Sequence, residues 1–317
     1  MSFDNITDVP GVKVGHQQNT QALTGCSVIL TEDGAVASVD VRGAAPGTRE
    51  TDLLEPVNMV DQVHAISLAG GSAYGLDASS GVMQFLEDQG VGLDVGVAKV
   101  PIVPSAILFD LAFGDASVRP DKQMGYEAAQ KASSGIFKQG NIGAGCGATV
   151  GKIMGFENSM KSGLGSASVT LDNGLVVGAM VAVNALGDVR DPKTGEIIAG
   201  PVNPETKDIV DSEQFILDNV ESFGRVGQNT TIGAVGVNAK LSKAEAKKVA
   251  QMTQNAIGRT IHPAHTMFDG DTIFALATGD KQYSIDLIGS IATQVMEKAI
   301  IRAVKEADPI QNLPAYE

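Results

Sequence analysis

The first place in this sequence where chemistry can be read is a threonine hydroxyl at the mouth of a strand. Residues 227–241 run GQNTTIGAVGVNAKL. A Gly-Gln-Asn turn enters Thr230 and Thr231, and an apolar stretch follows. Two readings compete. β-Branched residues start strands well and asparagine suits turns, so the junction can be a plain strand start. Alternatively, Thr230 is a nucleophile, which requires a base within reach of its hydroxyl.

Other residues could serve such a centre. FDGD (268–271) sets Asp269 and Asp271 two apart before an apolar strand. On extended chain that spacing puts both carboxylates on one face, where they could orient an amine or hydroxyl. Asp-Gly is also a common turn dipeptide. VAVNALGDV places Asn184 inside an apolar strand, where its amide must find partners or cost stability. It is a structural hydrogen-bond hub or an oxyanion donor. GAGCGATVGK (143–152) matches a dinucleotide pattern only loosely, and Ile153 stands where a P-loop needs Ser or Thr. Its glycines suit close backbone approach, with Lys152 as the polar group delivered. Taken alone, Lys152 reads as a solvated strand end. AGGSAYGLD fails the G-x-S-x-G elbow because Tyr74 replaces the second glycine. Ser72 is better read as a helix N-cap. The four histidines, 16, 64, 262 and 265, show no zinc-ligand spacing, and neither a metal nor a cofactor is expected.

The elements that must position these residues follow from pattern. Residues 10–45 read as strands joined by hairpins, with Glu32-Asp33-Gly34 at a turn. QVHAISLAGG is a buried strand, and residues 72–90 are a helix stopped by Gly90. Residues 91–115 hold two Pro-punctuated strands, and 121–135 look helical. Residues 164–189 form a hairpin turning at Asp172-Asn173-Gly174. Residues 190–228 are rich in Pro, Lys, Asp, Glu and Asn and read as a long, exposed, partly ordered connector. A strand from Thr230, a helix capped by Ser242 and Glu245, a strand at DTIFALATG and an amphipathic helix over 284–306 complete the chain. Strands in hairpins and helices in blocks favour α+β with mostly antiparallel sheet.

Composition bounds the function. The 317 residues carry a net charge of −14, which argues against nucleic acid as a partner. No apolar run of membrane-spanning length occurs, and the N-terminus lacks a signal pattern. Two distant cysteines, Cys26 and Cys146, fit a reducing compartment, so a cytoplasmic protein is expected.

Jointly, the stretches ITDVPGVKVGH, RGAAPGTRETDLL, LAGGSAYGLDASSGV, VPIVPSAILFDL, GAGCGATVGK, VAVNALGDV, NTTIGAVGVNAKLSKAEA and HTMFDGDTIFALATG resemble the DmpA-type aminopeptidases and the nylon-oligomer hydrolase NylC. These are N-terminal-nucleophile hydrolases. The match runs from residue 6 to residue 279 and is nearer the NylC branch, with Thr after Asn at the junction. The resemblance implies a single domain over 1–317 with an αββα sandwich of the DmpA/ornithine-acetyltransferase type. It implies self-cleavage between Asn229 and Thr230 into subunits 1–229 and 230–317, and a homo-oligomer, a tetramer of cleaved units. A freed α-amine, with an ordinary pKa of about 7.7–8.0, could then be the base for the Thr230 hydroxyl. By the same resemblance Asp269 and Asp271 hold Thr230, Lys152 stabilises developing charge, and Asn184 donates to the oxyanion. Tyr74 and Phe109 fall at the substrate. Phe109 stands where a tyrosine is expected and cannot donate a hydrogen bond. The implied activity is hydrolysis of amides in short peptides or linear oligoamides through an acyl-threonine. The alternatives are an acyltransferase of the ornithine-acetyltransferase kind and an uncleaved binding protein.

Overall fold

The computed structural model describes residues 2–220, 229–310 and 312–317. Nine strands join in one sheet: β1 (Lys13–Asn19), β2 (Thr24–Val41), β3 (Thr48–Arg49), β4 (Gln62–Ala69), β5 (Ser105–Ile107), β6 (Leu164–Thr170), β7 (Val176–Asn184), β8 (Thr230–Ala239) and β9 (Thr272–Lys281). Their order is β6-β7-β8-β9-β2-β4-β5-β3, with β1 paired to β2. Neighbours are antiparallel except β8–β9 and β4–β5. The helices are α1 (Ala78–Asp88), α2 (Lys122–Gln130), α3 (Ser212–Asp218), α4 (Lys243–Thr260) and α5 (Ile285–Lys305).

Side-chain alternation folds this sheet into two layers. Met180 and Ala182 of β7, Ile232 and Ala234 of β8, and Phe274 and Leu276 of β9 meet Ile66 and Leu68 of β4 in one central core. The alternate residues of β7, β8 and β9 face outward onto α4 and α5. Cys26, Val28 and Leu30 of β2 and Ala65 and Ala69 of β4 pack outward with Val82 and Leu86 of α1 and Ala128 and Ala129 of α2. Helix, sheet, sheet, helix is the expected order of layers. The two sheet layers are one hydrogen-bonded surface, because β2 belongs to both.

That continuity corrects one expectation. Glu32-Asp33-Gly34 lies inside the 18-residue β2 and does not reverse the chain. Gly34 takes φ +85°, and the β2–β4 register shifts between Leu30 and Ala35. The chain bulges there and carries on into the next layer.

The described part of the 190–228 connector is mostly exposed and carries short ordered elements. Asp188–Arg190, Ile197–Ala199 and Ile261–His262 make a three-stranded sheet. Arg190 joins it to α3, bonding Asp188 at 2.6 Å and Asp211 at 2.8 Å. Val189, Ile198 and Ala199 of this sheet are also buried among apolar residues of α4 and α5. Residues 221–228, including the turn expected at Gly227 and Gln228, lie outside the described residues. Ser72 opens a short 3-10 helix, Ser72–Asp77, and the cap position belongs to Gly71 at φ +78°. The hairpin over 164–189, the capping box of Ser242 and Glu245, and the helix over 284–306 occur as read.

Phe274 is fully buried in the central core, and Ser242 is a surface cap. Phe274→Ala is expected to cost about 3–5 kcal/mol and Ser242→Ala about 1 kcal/mol. Urea midpoints check the order; equal losses would contradict a core shared by both sheet layers.

Candidate active site

The antiparallel pairing of β7 and β8 ends with Asn184 directly opposite Thr230. Opposite residues of such a pair share a face. Here it is the inward face, since Ala182 and Ile232 next along it lie in the central core. Both side chains therefore sit at the edge of the layer between the two sheets. Both are buried.

Asn184 is a hub. Its Oδ1 accepts from the Thr149 N–H at 3.1 Å and from Lys152 Nζ at 2.7 Å. Its Nδ2 donates to the Phe109 carbonyl at 2.8 Å. An amide nitrogen has two donors. Among the described residues the second has no protein partner.

Lys152 opens a short 3-10 helix, Lys152–Met154, and is almost wholly buried, so the solvated strand end is not what the fold makes of it. Its Nζ also donates to the Thr149 carbonyl at 2.7 Å. Burial pulls its pKa well below the ordinary lysine value, and the negative charge of Asp269 opposes that drop.

The two carboxylates reach the centre along β9. Its parallel register with β8 continues one bridge further, pairing Asn229 with Asp269. Asp271 Oδ1 accepts the Thr231 N–H at 2.7 Å, and Oδ2 accepts from His265 Nδ1 at 2.9 Å. Asp269 Oδ2 accepts the Thr266 N–H at 2.6 Å. Burial, then repulsion from Asp271, pushes Asp269 up to about 6.

The junction itself is held from both sides. The Asn229 N–H donates to the Phe268 carbonyl at 2.9 Å, and the Asn229 carbonyl accepts the Gly270 N–H at 3.1 Å. The Thr230 hydroxyl donates to that same carbonyl oxygen. Only glycine fits at 270, since a Cβ there would stand 2.9 Å from Thr230 Oγ1. The RGAAPG loop lies alongside, with the Ala45 N–H on the Asp269 carbonyl at 2.8 Å. A Cβ at Gly43 would fall 2.2 Å from that oxygen.

The fold thus brings Asn229, Thr230, Asn184, Lys152, Asp269 and Asp271 into one connected cluster, with Phe109 attached through its carbonyl. The Phe109 ring packs on Phe156, centroids 6.2 Å apart. Tyr74 stands exposed, with the Arg119 guanidinium 3.9 Å over its ring. Thr149, His265 and the Gly270 N–H belong to the cluster and were not singled out from sequence. Two of these act through backbone groups, which leave no mark on residue type.

Residues 4–314 match peptidase family S58. The chain belongs to that family. It is an amide-bond hydrolase. An uncharacterized aminopeptidase of Mycobacterium leprae is 39% identical, the match covering 99% of this chain and 93% of the relative. A 6-aminohexanoate-oligomer endohydrolase of Kocuria is 32% identical over 94% of this chain and 85% of its own length. The L-aminopeptidase D-Ala-esterase/amidase from Ochrobactrum anthropi, described as a variant of the Ntn-hydrolase fold, superposes with a TM-score of 0.74. It is 18% identical, with 98% of this chain and 88% of that one covered. The α+β architecture is that fold.

The pKa of Asp269, about 6 in the fold against 3.8 unperturbed, has a consequence for stability. The native state binds the extra proton between those values, so this group lowers stability as pH rises through that window. Asp269→Asn is expected to remove this loss while keeping an acceptor for the Thr266 N–H. Thermal midpoints of both proteins at several pH values check it; an unchanged difference between them across the window would contradict it.

Proposed function

We propose that this S58 hydrolase cuts itself between Asn229 and Thr230. The freed Thr230 then serves as the N-terminal nucleophile for amides of short peptides or linear oligoamides. The observation that carries this reading is the state of the Asn229 carbonyl. Its oxygen accepts the Gly270 N–H and lies against the Thr230 hydroxyl. A polarised carbonyl beside a hydroxyl, with both buried and pinned, suits intramolecular attack.

In self-cleavage Thr230 Oγ1 adds to the Asn229 carbonyl carbon, the hydroxyl proton passes to the Thr230 nitrogen, and the C–N bond breaks to free the Thr230 α-amine. Water then hydrolyses the Asn229–Thr230 ester, leaving an Asn229 carboxylate and restoring the Thr230 hydroxyl beside its free amine. In turnover that amine takes the hydroxyl proton as Oγ1 attacks the substrate carbonyl. The spare Nδ2 hydrogen of Asn184 donates to the oxyanion that forms. The Lys152 ammonium adds a positive field and fixes the Asn184 amide by bonding its Oδ1. The proton passes to the leaving amine, and water then releases the acyl group from Thr230. Asp271 holds the strand at Thr231, and Asp269 supplies the negative charge that keeps a proton on Lys152. The substrate class rests on relatives named aminopeptidase and 6-aminohexanoate-oligomer endohydrolase, which share hydrolysis of an amide in a linear chain.

Thr230→Ala is expected to lower hydrolysis by roughly 10⁴-fold or more, while Thr230→Ser retains activity. Acid quenching during turnover, followed by peptide mass analysis, should find the acyl group on the peptide that begins at Thr230. An adduct on another residue, or an active Thr230→Ala, would falsify the assignment.

A further inference from the structure

A second buried lysine lies behind the site. Lys161 is 1% exposed and takes no part in the chemistry above. Its Nζ donates to the carbonyls of Gly145 at 3.0 Å and Ala148 at 2.9 Å, and to that of Ser162. Its backbone pairs antiparallel with Thr149. The Ser162 N–H adds a bond to the Ala148 carbonyl at 3.0 Å. An ammonium has three donors, and three carbonyls converge on it. A neutral amine has two N–H donors, so it would lose one of the three bonds and turn its lone pair toward that carbonyl oxygen; the cradle fits the cation.

The turn gripped in this way, 145–149, carries no side chain at its middle residue, Gly147. A Cβ at Gly147 would stand 1.9 Å from the Leu23 carbonyl and 3.1 Å from Asp110 Oδ2. Asp110 is buried against that side of the turn and accepts the Gly71 N–H at 2.7 Å. It directly follows Phe109, whose carbonyl holds the Asn184 amide. The turn thus lies between a buried cation and a buried carboxylate, and its last residue, Thr149, bonds both Lys152 and Asn184.

We propose that Lys161 is a positioning residue for the Thr230 centre: its ammonium clamps the 145–149 turn and so sets Thr149, Lys152 and Asn184 against the nucleophile. This rests on the Thr230 reading. Burial pulls Lys161 down to about 7, while Cys146, Asp110 and Asp308 favour its charge. Lys152 faces it as a second cation. The clamp is therefore sensitive to the loss of the Asp110 charge.

The test is steady-state hydrolysis of an aminoacyl p-nitroanilide, well below the melting temperature of each variant. Lys161→Met is expected to lower kcat 10- to 100-fold with KM changed less than threefold. Lys161→Arg, which restores cationic N–H donors, should recover part of that loss. A purely structural lysine would lower the melting temperature and leave kcat alone, so a folded Lys161→Met with kcat within twofold of wild type overturns the inference. Should Lys161→Met not accumulate as folded protein, Asp110→Asn decides. It keeps an acceptor for Gly71 and should move the alkaline limb of the kcat–pH profile down by half a unit or more; an unmoved limb overturns the inference. Thr230→Ala measured alongside separates the two claims. If it is active, the nucleophile reading falls and takes the clamp with it. If it is inactive beside a wild-type-like Lys161→Met, the clamp alone falls.

Discussion

Everything at this centre depends on one register. The β7–β8 ladder pairs Val177 with Val237 and runs without a shift to Asn184 opposite Thr230. A slip of β8 by one residue would send Thr230 to the helix side while Asn184 stayed in the central layer, and the two would part. The register is held along its whole length by alternation: Met180, Ala182, Ile232 and Ala234 fill the central core, while Val181, Val183, Val235 and Val237 pack under the helices. Large apolar faces on both sides of the sheet thus fix the position of a few polar groups at its end.

Those polar groups work against stability. Lys152 is held where its charge is disfavoured, and Asp269 is pushed up to about 6. Buried ionisable groups of this kind cost free energy, which the apolar layers must offset. Each also has a specific partner. Asn184 takes Lys152 and Thr149, while Asp271 takes Thr231 and His265. A centre built this way is pre-organised: its dipoles and charges are in place before any substrate carbonyl arrives.

Much of the fold was legible in the sequence because its signals are local. The 164–189 hairpin announced itself by an Asn-Gly turn between apolar runs, α4 by a capping box, and α5 by a long apolar stripe. The bend in β2 was misread because Asp-Gly marks a reversal more often than a bulge. Which part of the segment after Asp188 is ordered was not legible, because the burial of Val189, Ile198 and Ala199 and the Arg190–Asp211 ion pair are both long-range contacts. At the site, Thr230 and Asn184 stood out as residue types in unusual contexts, whereas Lys152, which alone reads as a solvated strand end, and the two aspartates, which alone could be a turn, gained their roles from the family resemblance. The Gly270 N–H, the carbonyls around Lys161 and the closeness of Lys152 to Asn184 were not legible. They are backbone groups or long-range contacts, fixed only once the sheet has folded.

The central claim is that the Asn229–Thr230 bond breaks and that the freed amine is the catalytic base. Sequencing the N-terminus of the smaller chain in purified, active protein tests it most directly. The account predicts a fragment beginning Thr-Thr-Ile-Gly, and no such fragment from Thr230→Ala. Fully active protein that remains a single intact chain, or a fragment starting at any other residue, would contradict it.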